Sequence, residues 1–127
     1  MNTEKPIMQL HSEHKEWLNK LSFYKDDLAV LQNRLDDIAG KNSDKDMLAV
    51  VEKYQNQLTI QREQIDLLHH EIKKHEHGIE KSIAENPVAS DHRKMQDHPE
   101  QRDKILRFEE MFADLRKSLL SFAAKWM

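Results

Sequence analysis

The sequence predicts an all-α protein, an antiparallel three-helix bundle with coiled-coil-like heptad seams. Apolar residues recur at alternating steps of four and three along most of the chain, the spacing that keeps one stripe of a helix facing its partners. The 127 residues include only two glycines and three prolines, so few positions can break a helix. Charged residues make up 34%, with both signs interspersed, which suits long solvated helix faces. At this length the expectation is a single helical-bundle domain spanning 1–127.

The first helix is expected over about 6–39, with Leu10, His14, Trp17, Leu21, Tyr24, Leu28, Leu31, Leu35 and Ile38 on its seam. Gly40 is expected to end it in the left-handed conformation, and Ser43 with Asp46 reads as a capping box opening the next helix. So short a turn forces the two helices antiparallel.

The second helix is expected over about 44–84, with seam residues Met47, Val51, Tyr54, Leu58, Gln61, Ile65, Leu68, Ile72, His75 and Ile79. Gly78 weakens its last turns, and Pro87 ends it by pushing Asn86 out of the helical region. The third helix is expected over about 98–127, capped by Asp97 or His98, with Pro99 in its first turn where a missing N–H costs nothing. Its seam carries Ile105, Phe108, Phe112, Leu115, Leu119, Phe122 and Trp126, and Leu106, Ala113, Leu120 and Met127 form a second stripe at sevenfold spacing.

Setting Ile38 opposite Met47 places Leu31 opposite Tyr54, Trp17 opposite Leu68 and Leu10 opposite His75. It also sets Tyr24 opposite Gln61, a polar pair expected to fix the register. A third helix of about 29 residues is too short to reach the hairpin at 40–43, at about 1.5 Å per residue. The tip, with Ile38, Met47, Leu48, Val50 and Val51, is then covered by two helices only. Met47, Leu48 and Val50, together with Leu106, Leu120 and Met127, become candidate interface residues, most simply of a twofold homodimer.

Composition excludes several classes of function. No cysteine is present, so thiol nucleophiles, disulfides and thiolate ligands are absent. A net charge of −3 with no basic stripe disfavours nucleic acid. No apolar run is long enough to span a membrane, and the segment from Met1 to Pro6 lacks a signal core, so a cytoplasmic location is expected. No Ser-His-Asp order, glycine-rich phosphate loop or H-E-x-x-H motif stands out, and no Glu is followed three residues later by His, as a di-iron carboxylate bundle requires.

Histidine alone has an unusual distribution. His11, His14, His69, His70, His75, His77, His92 and His98 all fall at one end of the antiparallel bundle, and His14, His75 and His98 occupy seam positions. Solvated histidines with one or two in the core are the plain reading. The expected function is then non-enzymatic, through protein interaction or self-association, with no cofactor. The alternative is a metal-binding bundle using His11, His14, His75 and His98 around a transition metal such as zinc, with Glu13, Glu71, Asp91 or Asp97 completing or orienting the site.

Overall fold

The computed structural model describes the backbone at residues 4–85 and 90–126 and the side chains at 9–81 and 98–126. Three helices, α1 (Glu4–Lys41), α2 (Lys45–Glu85) and α3 (Ser90–Trp126), pack on one another in an all-α bundle. The described seam positions face inward or pack partly against the core, except Trp126, whose side chain is exposed. Leu21, Leu28, Leu31, Leu35, Leu58, Ile72 and Leu119 are almost fully buried in a single apolar core.

The α1–α2 turn is built differently from the capping signals. Gly40 stays inside α1, and no glycine among the described residues has a positive φ. Asn42 closes the helix by donating from Nδ2 to the Ile38 carbonyl at 2.9 Å. Asp44, not Ser43, caps α2, its Oδ1 accepting the Met47 N–H at 3.0 Å. The side-chain amide supplies the missing partner of an end carbonyl, so a left-handed residue is not needed there. A Cβ at Gly40 would meet nothing within 4 Å. Gly40→Ala should therefore raise stability by about 0.5–1 kcal/mol, read as a higher urea midpoint at unchanged slope.

The register of α2 on α1 is displaced by about one turn from the expected one. His75 lies against His14, not Leu10, and Asp66 pairs with Lys25 at 3.1 Å. Tyr24 turns away to pack against Phe108 and Phe112 of α3, at ring-centroid distances of 5.5 and 4.8 Å. Gln61 is buried, and its Oε1 has no hydrogen-bond partner among the described residues. A buried acceptor left unpaired costs about 1–3 kcal/mol. Gln61→Leu should accordingly stabilise the bundle by about 1 kcal/mol, and a thermal midpoint lowered by this change would show that the amide is satisfied in solution.

α3 lies parallel to α1, and three ion pairs at heptad intervals hold it there. Arg102 Nη2 donates to Glu13 Oε1 at 2.8 Å, Lys20 Nζ lies 3.5 Å from Glu109, and Arg116 Nε donates to Asp27 at 2.9 Å. The signs alternate along the ladder. A slide of one heptad would set Glu13 against Glu109 and Lys20 against Arg116, so the ladder opposes the slip that the seam alone would tolerate. Each exposed pair contributes only about 0–1 kcal/mol, enough to select among similarly packed registers.

The third helix also begins earlier than expected, because its chain is already helical at Ser90 and runs through Pro99. The missing N–H of Pro99 removes one helical hydrogen bond, on a face exposed to solvent. At its other end Trp126 reaches Ile38 and Lys41, and the three share a cleft with Arg34 and Asp37. The tip is thus not covered by two helices only. Ile38, Met47 and Val51 are buried in their own chain, Leu48 is half-buried and Val50 is exposed. On the second stripe Leu106 and Ala113 are exposed, Leu120 packs partly against the core, and Met127 lies outside the described residues. No described helix is long and apolar enough to cross a membrane.

Candidate metal centre

One imidazole from each helix meets its neighbours near the end where α2 hands over to α3. His14, His75 and His98 are all buried, and one nitrogen of each lies within 4.8 Å of the others. The α1–α2 register sets His14 against His75, and the parallel alignment of α3 brings His98 to the same level. Ring centroids are 5.0 Å apart for His14 and His75, 5.3 Å for His14 and His98, and 6.4 Å for His75 and His98. Trp17, one turn beyond His14, stacks flat on His98 with centroids 4.9 Å apart and closes the apolar side of the cluster.

A carboxylate orients the His14 ring, and a second carboxylate stands beside that of His98. Glu76 Oε2 accepts a hydrogen bond from His14 Nδ1 at 2.6 Å. A carboxylate can only accept, so Nδ1 carries the proton and the Nε2 of a neutral His14 presents a lone pair to the cluster. Gln101 Oε1 lies 3.2 Å from that nitrogen and 2.9 Å from His75 Nδ1, which is itself 3.1 Å from His14 Nε2. Two electron-rich atoms, His14 Nε2 and Gln101 Oε1, therefore share the one proton that His75 Nδ1 can offer. On the other side, His98 Nε2 is 3.2 Å from Glu13 Oε2, and Arg102 grips that carboxylate. Both His98 nitrogens are buried, and neither has a hydrogen-bond partner of good geometry among the described residues.

Burial pulls the His98 pKa below its ordinary value of 6.5, and Glu13 restores only part of it. Burial also pushes the carboxyl groups of Glu76 and Glu13 up, but hydrogen bonds from His14 and His11 to the first, and from Arg102 to the second with the His98 ring close by, outweigh it. Both end below the ordinary 4.5. The signs add. A histidine depressed on folding costs stability once the unfolded chain takes up the proton, below about pH 6.5. The depressed carboxylates give stability above about pH 4.5 that is lost as pH falls through their folded values. Metal-free protein should hold a constant urea midpoint between about pH 7 and pH 9 and lose it progressively from about pH 6.5 downward. A midpoint unchanged between pH 7 and pH 4 would contradict this assignment.

His11 does not join the three. It is exposed and contacts Glu76 Oε1, on the outer side of the carboxylate that orients His14. His69, His70 and His77 are exposed, and the side chains of His92, Asp91 and Asp97 lie outside the described residues. Glu71 sits 3.5 Å from Lys104, while Glu13 does reach a ring of the cluster, that of His98. Gln101 and Glu76 were not singled out by the sequence. The available signal was spacing, since Gln101 follows His98 by three residues on one helix face and Glu76 is adjacent to a seam histidine. A cleft of about 510 Å³ between α2 and α3, bordered by Glu71, His77, Gly78, Glu100 and Lys104, reaches His75 and Gln101 from solvent.

No protein-family profile matches the chain, and no curated protein or solved structure matches it either.

Proposed function

We propose that this chain is a metal-binding helical bundle whose His14, His75 and His98 take a transition metal such as zinc. The observation that carries the reading is the convergence of three buried imidazoles, one from each helix, with nitrogens within 4.8 Å of one another. Tetrahedral bonds of about 2.0–2.1 Å set ligand nitrogens about 3.3–3.4 Å apart. His14 Nε2 and His75 Nδ1 already stand at 3.1 Å, so with the His75 proton moved to Nε2 a sub-ångström adjustment of these two and a rotation of His98 would approach that spacing. Glu76 and Glu13 would hold His14 and His98 in place, the arrangement that raises ligand basicity. Gln101 Oε1 or a water molecule would take the fourth position, and the α2–α3 cleft gives the ion a way in.

The test is equilibration of untagged protein with zinc or cobalt, removal of excess, and elemental analysis. At least one tightly held ion per chain is expected, absent at that affinity in His75→Ala and His98→Ala. Cobalt in the centre should also quench the emission of Trp17. No retained metal and no quenching at tens of micromolar cobalt would overturn the reading.

Self-association or protein binding is the second reading, supported by Leu106 at 50% exposure and by Ile60, Leu67 and Met111 around a shallow cleft between α2 and α3. Its simplest form is a twofold dimer using Leu106, Leu120 and Val50, and a solution mass of 15.1 kDa at tens of micromolar would rule that out.

A further inference from the structure

We propose a second, outer cation site formed by His11, Glu76 and Glu80, coupled negatively to the inner histidine centre through the Glu76 carboxylate. The outer site stands on side chains of its own, whereas the coupling rests on the metal reading given above. One ligand atom from each of His11, Glu76 and Glu80 lies within 4.8 Å of the others. Glu76 and Glu80 are one turn apart on α2, so two carboxylates project from the same face and repel each other unless a cation lies between them. His11, from α1, completes the third side. His11 and Glu80 are exposed and Glu76 is half-buried, so the set opens to solvent. One imidazole with two carboxylates accepts harder divalent ions than the all-imidazole centre does, manganese among them.

The coupling follows from how Glu76 divides its two oxygens. Oε1 faces His11 in the outer set, and Oε2 accepts the Nδ1–H of His14 at 2.6 Å. With no ion in the outer set, Oε1 meets only the His11 ring, so most of the carboxylate charge still acts on that N–H and raises the basicity of Nε2, the nitrogen that would bind the inner metal. A cation on Oε1 draws that charge away, and His14 becomes a poorer ligand. The reverse must hold to the same degree, because coupling between two binding equilibria is reciprocal. An inner ion is thus held less tightly when the surrounding concentration of divalent cation is high, and exchange is favoured without unfolding the bundle.

Manganese and zinc separate the two sites experimentally. Manganese binding is followed by loss of the free-ion resonance, and zinc affinity by competition with a chromophoric chelator, in the full chain and in H11A/E80A. Both substituted side chains are exposed, so the variant keeps its core and its inner ligands. The wild-type chain should bind one manganese, and saturating manganese should weaken inner zinc binding by about three- to tenfold. Both effects should vanish in H11A/E80A, which still binds one zinc. No bound manganese in the wild-type chain, or an equal effect of manganese on zinc in both proteins, overturns the outer site and leaves the inner one standing. Manganese bound through His11 and Glu80, with no zinc bound by either protein, overturns the inner centre and the coupling instead.

Discussion

Zinc should raise the thermal midpoint of the metal-free protein by about 10 °C when its free concentration is about a hundred times the inner dissociation constant. Binding to the folded state alone adds about 2.7 kcal/mol at that ratio, and for a chain of this size each kcal/mol moves the midpoint by about 3–5 °C. A chelator should reverse the whole increment. In His75→Ala the increment should fall below about 1 kcal/mol at the same free zinc, since only the exposed outer set remains to bind it. The increment is the quantity to compare, because His75→Ala also opens a cavity and lowers the metal-free midpoint by itself. An equal zinc increment in wild type and His75→Ala would place the stabilising ion elsewhere.

Leu28→Ala should cost about 2–5 kcal/mol. Leu28 is fully buried in the middle of α1, so truncation removes the transfer free energy of three carbons and leaves a cavity that three long helices can only partly close. Leu28 lies fourteen residues from His14, about 20 Å along the helix at about 1.5 Å per residue. Changes that far apart add independently, so the variant should gain the same zinc increment as the wild-type chain while melting about 6–25 °C lower. A zinc increment that collapses in Leu28→Ala would mean that the centre and the mid-bundle core form one cooperative unit, and the two-site bookkeeping would fail.

Much of the centre could be read from residue order alone. His14, His75 and His98 fall on seams defined entirely by the leucines and isoleucines around them, and an antiparallel hairpin followed by a returning helix must bring one end of each seam together. That His11 would stand outside the group could not be read the same way. It is three residues from His14 and shares much of its helix face, and only the position of Glu76, which takes His11 on one oxygen and His14 on the other, divides them. Gln101 and Glu13 are polar residues in a chain with many such residues, so their roles depend on contacts across helices that no local pattern encodes.

What the sequence by itself determined is which face of each helix is buried and that α1 and α2 run antiparallel. Period and turn length are local properties: an apolar side chain every three or four residues leaves a helix one way to hide its stripe. The tertiary structure decided the sliding register, the start of α3 and the membership of the histidine cluster. A heptad seam nearly repeats after one layer, so pairing Leu10 or His14 with His75 buries almost the same apolar area, and periodicity cannot choose between them. The choice falls to interactions that do not repeat: the caps at Asn42 and Asp44, the alternating ladder from Glu13–Arg102 to Asp27–Arg116, and the hydrogen bonds that tie His14 to Glu76 and His75. Each is small beside the core, but the core contributes almost equally to every register, so these small terms select the one that gathers three imidazoles.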